Sequence, residues 1–215
     1  MEIKEKNNLI TELLENSKRV AILPSKVSGV DAYCAGVGLY YMLKNKEKNV
    51  SLIYPGKIPE KCENLLRKEE IVSDLSSREL HVSIDYSNTP AAKVQYSTDH
   101  GILYLRISPV LKEFDVTRVR TELKGSDYDA FITIGAQVLD DFGQTYKELE
   151  KEIHAAKIVN LDNTDRNFRF GHFNIVEPFA DSLSLLVLNT SVSWNLNVTK
   201  DAARALLLGV SHRAV

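Results

Sequence analysis

The sequence has little that would tie it to an oxidising compartment, a membrane or a polyanion. It contains only two cysteines, Cys34 and Cys62, and their wide separation does not form a metal-type cluster. The net charge of −2 gives no overall basic field that would attract nucleic acid. The longest apolar run lies within residues 30–43, is interrupted by Asp31 and is too short to span a bilayer. The amino terminus has no apolar secretion signal. These absences predict a cytoplasmic protein with no membrane partner and with reduced thiols, Cys34 being buried in an apolar helix.

Strand and helix patterns alternate through most of the chain, and 44% hydrophobic residues support a real core. Buried strands are predicted at 19–24, 49–55, 128–135 and 156–162. Helices are predicted at 3–16, 30–44, 59–68, 116–124, 138–153, 180–195 and 199–208. This alternation is typical of a doubly wound α/β fold with a mostly parallel sheet. Because no repeat or flexible linker interrupts the pattern, we expect a single domain over residues 1–215.

A different pattern occupies about residues 81–107 and predicts an inserted antiparallel β-hairpin. Its β-forming stretches are 81–85, 92–98 and 102–107, with Asp99-His100-Gly101 as the turn between the last two. Apolar strand faces rarely stay exposed, so we expect Val94, Tyr96, Tyr104 and Leu105 to cover the core of their own domain. The alternative is that this hairpin extends the sheet or pairs with another chain.

Polar segments follow the predicted strands, where doubly wound sheets build their ligand clefts. They are SKVSGVDA (25–32), IGAQVLDDFG (134–143), LDNTDRNFRFG (161–171) and GVSHRA (209–214). In order and spacing they resemble the four motifs of the DHH phosphoesterase family, which includes exonucleases, oligoribonucleases, pAp phosphatases and exopolyphosphatases. The resemblance implies a site in which His and Asp side chains hold two divalent metals that activate water against phosphorus.

The scaffold of each motif is well matched. The matching positions are Asp31 and Ala32 in the first motif, 129–134 and Gly143 in the second, Leu206, Leu207, Gly209 and Val210 in the fourth, and in the third Asp162, Asn167, Phe170, Gly171, Asn174, Val176, Pro178, Ala180 and Ser182. Glu177 is close in kind to the aspartate that the third motif carries there. Among these, Asn167, Phe170, Gly171 and Asn174 are expected to fix the long loop of the third motif.

The expected metal ligands are largely replaced. Histidine positions of the family carry Ser25, Asn163 and Thr164, and aspartate positions carry Gly29, Gly135 and Arg213. Only Asp31 and Asp162 remain as carboxylates. Two carboxylates cannot offset the charge and lost hydration of two divalent cations. The resemblance therefore implies a degenerate site with no metal cofactor and no hydrolysis.

Both remaining acids suit structural roles equally well, because Asp162 can cap the following turn and Asp31 lies near the first turn of its helix. A nucleotide, a short single-stranded oligonucleotide or another phosphorylated ligand could still occupy the cleft, bound by backbone N–H groups before a helix and by cations. The candidate ligand-binding residues are Ser25, Lys26, Ser28, Asn163, Thr164, Arg166, Arg169, His172 and Arg213.

Two other functions stay open. The hairpin could make the chain a structural or protein-interaction module. Alternatively, Asp31 and Asp162 could form a rewired Mn²⁺- or Mg²⁺-dependent phosphoesterase together with Asp140, Asp141 or His172. The family's C-terminal substrate-binding domain is expected to be absent, so a partner domain could complete the cleft, and a homo-oligomer is also possible.

Overall fold

The computed structural model describes residues 3–54, 57–73, 79–85, 87, 93–108, 115–124 and 128–213. The chain falls into two compact units, one formed by Met1–Ser76 with Ser126–Val215 and the other by Ser77–Gly125. The expectation of a single domain over residues 1–215 stays a prediction. No helix in these ranges is long and apolar enough to cross a bilayer.

The larger unit is a parallel sheet covered by helices on both faces, which confirms the predicted α/β fold. Its helices are α1 (Ile3–Asn16), α2 (Gly29–Asn45), α3 (Gln144–Ala155), α4 (Leu183–Ser193) and α5 (Lys200–Arg213). The strands among the described residues of both units are β1 (Arg19–Pro24), β2 (Asn49–Ile53), β3 (Ile71–Val72), β4 (Glu79–Ile84), β5 (Lys93–Asp99), β6 (Ile102–Ser108), β7 (Val119–Lys124), β8 (Ala130–Ile134), β9 (Lys157–Asp162) and β10 (Phe173–Val176). The parallel sheet has the order β10-β9-β8-β1-β2-β3.

The sheet forms because its central strands are mostly apolar. All five residues of β8 are buried, as are the last five of β1, so each strand packs against helices on both faces. One face carries α2, α4 and α5 around Tyr33 and Trp194, and the other carries α3 around Phe131. Gly38 lets α2 and α5 approach closely, since a Cβ there would lie 2.6 Å from Leu206 Cδ2.

The smaller unit contains two antiparallel pairs, β4 with β7 and β5 with β6. The β5–β6 pair is the predicted hairpin, and His100 and Gly101 at its turn both have positive φ, 44° and 81°. That backbone matches the right-handed twist of the strands it connects. Residue 92, predicted as the start of a strand, lies outside the described residues.

Several predicted elements are wrong in type or extent. Residues 116–124 form a 3-10 turn, Val116–Arg118, and the strand β7, because β-branched Val119 and Thr121 alternate with polar residues along a ladder with β4. The helix predicted over 59–68 is reduced to 3-10 turns at Glu60–Cys62 and Lys68–Glu70. The helix predicted from 138 starts as another 3-10 turn at Leu139–Phe142, and the short strands β3 and β10 were not predicted.

The segment GVSHRA was expected to be a loop at a strand end, and this is also wrong. Helix α5 continues through it to Arg213, because Leu206, Leu207 and Leu208 favour a helix and no Pro ends it. Gly209 is needed there for packing, since a Cβ would lie 2.9 Å from Cys34 Cβ and would clash with the Ser184 hydroxyl. The fourth predicted motif therefore belongs to a helix, and Ala214 lies outside the described residues.

Candidate functional site

The first three predicted loops meet at the carboxyl edge of the sheet, where β1, β8 and β9 end side by side. Ser25 N donates to Ile134 O at 2.8 Å, and Gly135 N donates to Leu161 O at 2.8 Å. The parallel ladder thus continues one residue beyond each strand. It brings Ser25, Gly135 and Asp162 to one edge, as expected for neighbouring parallel strands.

Asp31 is occupied in capping helix α4. Its side chain is 3% exposed and accepts hydrogen bonds from Leu183 N at 2.7 Å, Ser184 N at 3.0 Å and Ser184 Oγ at 2.7 Å. Leu183 and Ser184 open α4, whose first N–H groups have no partner inside the helix. A carboxylate at this end also favours the helix dipole. Asp31 therefore holds α2 and α4 together by their amino-terminal ends.

Gly135 leaves no room for a side chain between the loops. Its φ of 72° is in the left-handed region, and a Cβ there would lie 2.6 Å from Leu183 Cδ1 and 2.8 Å from Ser28 Oγ. Ser28 Oγ donates to Gly135 O at 2.6 Å, so this serine is also engaged. An aspartate at position 135, the bridging ligand in the DHH pattern, would require the surrounding loops to move.

Asp162 is 2% exposed and its two oxygens stabilise the following turn. Oδ1 accepts from Asn163 N at 2.9 Å and Oδ2 accepts from Asn167 Nδ2 at 2.8 Å. Asn163 Nδ2 in turn donates to Ala180 O at 3.0 Å, and Thr164 Oγ1 accepts from Arg166 N at 3.3 Å. The residues at the position of the His-His pair therefore serve the loop itself.

A network of asparagine amides fixes the rest of this loop. Asn160 Nδ2 donates to Asn167 Oδ1 at 2.9 Å and to Asn174 Oδ1 at 3.2 Å. Asn167 Nδ2 also reaches Ala136 O at 2.7 Å, which ties the loop to the end of β8. Asn174 Oδ1 accepts from Gly171 N at 3.0 Å. These contacts confirm that Asn167 and Asn174 shape the third motif, and they add Asn160, which the sequence reasoning missed.

The remaining candidates at this edge are divided between buried and exposed side chains. Ser25 is fully buried and its Oγ accepts from Val27 N at 3.2 Å, whereas Lys26 and Arg166 are exposed. Asp141 Oδ2 accepts from Gln137 N at 2.7 Å and caps the turn that also contains exposed Asp140. In the described ranges, no group of three or more His, Cys, Asp or Glu side chains is arranged to hold a metal ion.

Two candidates do not join this edge. His172 Nδ1 accepts from Ile158 N at 3.1 Å, near the amino end of β9. Four residues of parallel strand, or about 13 Å, separate that point from Asp162. Burial, and then the charge of Lys157, lower the pKa of His172. Arg213 is the last residue of α5, and its side chain lies outside the described residues.

Arg169 lines an open pocket of about 560 Å³ beside the outermost strand, β10. It is exposed and has φ 54°, an uncommon backbone conformation for a residue with a side chain. Lys6, from α1, lines the same pocket and its Nζ donates to Asn174 O at 2.9 Å. The other lining residues are Asn7, Asn174, Ile175, Val176, Glu177, Phe179, Ala180, Leu186, Asn189, Thr190 and Ser193. The sequence reasoning missed Lys6, Asn7 and Asn189, because α1, α4 and the third motif are adjacent only in the fold.

Comparisons with known proteins show the fold but no close relative. No family model and no curated protein matches this chain. Among solved structures it is similar to an exopolyphosphatase-related protein from Bacteroides fragilis, with a TM-score of 0.68 and 14% sequence identity. The match covers 100% of this chain and 52% of that one, so this chain spans about half the length of the matched structure. At this identity the likeness shows a shared fold, consistent with the phosphoesterase-like architecture that the sequence motifs predict.

Proposed function

We propose that this chain is a degenerate DHH-phosphoesterase-like domain that does not hydrolyse phosphoesters and binds a phosphorylated ligand in the pocket beside β10. The ligand class is a nucleotide or a short single-stranded oligonucleotide. The observation that carries the proposal is the presence of two cations, Lys6 and Arg169, in the lining of a pocket of about 560 Å³. A pocket of a few hundred cubic ångströms is the size that small ligands occupy.

The loss of hydrolysis is supported by what the two remaining acids bind. Asp31 and Asp162 are buried and accept hydrogen bonds from Leu183, Ser184, Asn163 and Asn167. A dinuclear metal site would have to replace these donors and add several further anionic ligands. Gly135, which stands at the position of the bridging aspartate in the DHH pattern, has no side chain and is packed against Leu183 and Ser28, so it cannot bridge two metal ions.

The charges of the pocket favour a phosphate over a neutral ligand. The Arg169 guanidinium makes no hydrogen bond or ion pair with another described residue, so its N–H fork is available for phosphate oxygens. Lys6 uses one N–H on Asn174 O and keeps two for a ligand. Glu177 is the one acid of the lining and offsets part of this charge. Asn7 and Asn189 supply amide groups that can read a sugar or a base.

Thermal unfolding and calorimetry with 5′-AMP and with a dinucleotide, each with and without Mn²⁺, test the proposal. Ligand at 100 times its Kd stabilises the native state by about 2.7 kcal/mol, which raises Tm by roughly 5–10 °C in a chain of this size. Arg169→Ala is expected to weaken binding at least tenfold, roughly the worth of one charge-assisted contact. Arg204→Ala is the matched control, because Arg204 is exposed on α5 outside the pocket lining.

Two outcomes would overturn the proposal. If neither ligand changes Tm or gives heat of binding, the pocket does not bind phosphorylated compounds. If Mn²⁺ supports phosphate release that disappears in both Asp31→Asn and Asp162→Asn, the chain is a rewired phosphoesterase instead.

The β5–β6 hairpin supports a second candidate function, that of an interaction module. Cross-strand pairing puts Val94, Tyr96, Leu103 and Leu105 on one face, because Tyr96 pairs with Leu105 and Val94 with Ile107. These side chains are 64%, 79%, 61% and 52% exposed. Contrary to the expectation from sequence, they do not cover a core; Tyr104 is on the other face and is also exposed. Because a two-stranded ribbon alone is marginally stable in water, this apolar face favours a partner surface.

Light scattering across a concentration series checks this candidate. A molar mass that rises with concentration, and that falls back to monomer in Tyr96→Lys, is the expected result. Gln95→Lys places the same charge on the opposite face, beside Arg106, and should leave association unchanged. A monomer at every concentration argues against self-association.

A further inference from the structure

The structure brings the two cysteines together although they are 28 residues apart in sequence. The Sγ atoms of Cys34 and Cys62 lie 3.6 Å apart and share a hydrogen bond, and both residues are fully buried. Cys34 is in the middle of α2, and Cys62 ends the 3-10 turn Glu60–Cys62. A separation of 28 residues gives no local signal of this contact, which forms only because the turn packs on α2.

We propose that Cys34 and Cys62 are a thiol pair that forms a reversible disulfide in the folded chain, with a low-molecular-weight disulfide such as oxidised glutathione as the oxidant. The Cys62 thiolate attacks one sulfur of oxidised glutathione and expels the first glutathione thiolate. Cys34 then attacks the Cys62 sulfur of the mixed disulfide and expels the second glutathione. Two protein thiols become one disulfide, one oxidised glutathione becomes two reduced molecules, and the two thiol protons pass to the released glutathione.

Position and hydrogen bonding make Cys62 the first thiol to react. The shared hydrogen bond with Cys34 lowers the pKa of Cys62, while the same contact and burial raise the pKa of Cys34. Cys62 also lies in a three-residue turn whose neighbours Glu60, Lys61 and Glu63 are exposed. A local opening of such a short turn requires much less free energy than unfolding α2, so oxidant reaches Cys62 before Cys34.

The fold around the pair can accept the new bond. The sulfurs have to approach from 3.6 Å to about 2.05 Å, the length of a disulfide bond. The turn that carries Cys62 has to make this movement, because Cys34 is fixed in a helix that packs on α4 and α5. The bond would close a 28-residue loop that includes the whole of β2. Closing a loop of that size restricts the unfolded chain more than the native one.

Oxidation of the native full-length chain in glutathione buffers of graded ratio tests the proposal. Intact mass spectrometry should show the loss of two hydrogen atoms, and peptide mapping should join Cys34 to Cys62. The bond should raise Tm by roughly 5–10 °C. It should also form in the native chain at a ratio of oxidised to reduced glutathione roughly tenfold or more below the ratio that the urea-unfolded chain requires. Cys34→Ser should instead stop at a mixed disulfide of Cys62 with glutathione, and Cys62→Ser should react more slowly.

Three results would overturn the proposal. The first is that both thiols stay free in the native chain under a ratio that oxidises the unfolded chain. The second is a Tm that falls on oxidation, which would show that native geometry opposes the bond. The third is stable glutathione adducts on both cysteines without a bond between them.

Discussion

Replacing Asp31 by alanine should destabilise the fold by about 3–5 kcal/mol, because this acid caps α4 from the neighbouring helix. The substitution leaves two buried backbone donors without an acceptor, Leu183 N and Ser184 N, which now lie 2.7 and 3.0 Å from the carboxylate. Ser184 Oγ loses its bond of 2.7 Å to the carboxylate and keeps only the longer one of 3.4 Å to the backbone oxygen of residue 31. Each buried unsatisfied donor costs about 1–3 kcal/mol, and loss of a helix cap costs about 1 kcal/mol. Water can enter the cavity that the Asp31 side chain leaves and can accept from some of these donors, so the total cost is lower than the sum of the individual costs. Asp31→Asn should cost about half as much, since one amide oxygen still accepts.

Urea unfolding followed by circular dichroism measures the effect, and thermal melts should show Tm lower by about 10 °C for Asp31→Ala. Asp201→Ala is the control, because Asp201 is in the first turn of α5 and is exposed, so its removal should cost less than about 0.5 kcal/mol. In a double-mutant cycle, Asp31→Ala should couple to Ser184→Ala. An Asp31→Ala chain as stable as its parent would refute the capping argument and would favour the alternative role of Asp31 as a metal-binding carboxylate.

Other predictions follow from backbone geometry and from the titration of one histidine. Gly135→Ala should cost about 3–4 kcal/mol in urea unfolding, because strain at φ 72° is joined by overpacking against Leu183 and Ser28; Gly143→Ala, at φ 55° and ψ −121° in open space, should cost only the backbone strain, about 1–2 kcal/mol. Arg169→Gly should raise the free energy of unfolding by about 0.5–1 kcal/mol by relieving its positive φ, even as ligand binding weakens. Because the pKa of His172 is lowered in the folded chain, its contribution is present above pH ~6.5 and is lost as the pH falls through the folded value. Melts from pH 7 to 5 should therefore show a steeper fall in Tm for the parent than for His172→Gln, and parallel curves would contradict this.

Strands buried on both faces could be predicted from sequence, because few other structures bury a short segment that is mostly apolar. RVAILP and AFITI are apolar except for Arg19 and Thr133, and a parallel sheet with helices on both sides buries such segments almost completely. The sequence of residues 116–124 suggests a helix because its β-branched and charged residues alternate over only a few positions. Such a short segment does not distinguish the helical period of 3.6 residues from the strand period of 2. The partner of this segment, β4, lies about 40 residues away, so no local signal reveals the pairing.

The candidate site could be predicted by position but not by contact. The sequence brings Ser25, Gly135 and Asp162 to one edge, because parallel strands share their carboxyl ends. It does not show that Asp31 meets Ser184, 153 residues later, or that Lys6 meets Asn174, 168 residues later. Those contacts depend on where α1 and α4 pack, and packing is set by the whole core. The contact between Cys34 and Cys62 likewise depends on tertiary packing, so it could not be predicted from sequence.

The three asparagines at positions 160, 167 and 174 make the segment between β9 and β10 a cooperative unit. Asn160 donates to both Asn167 and Asn174, so its removal leaves an acceptor on each of them with one donor fewer. Removal of Asn167 also leaves the Ala136 carbonyl, just after β8, without this donor, and removal of Asn174 takes the acceptor from Gly171 N. Residues 163–172 should accordingly exchange their protected amide hydrogens together and not one at a time. The course of this segment therefore depends most on the three asparagine side chains, and a substitution at any of them should disturb the whole segment.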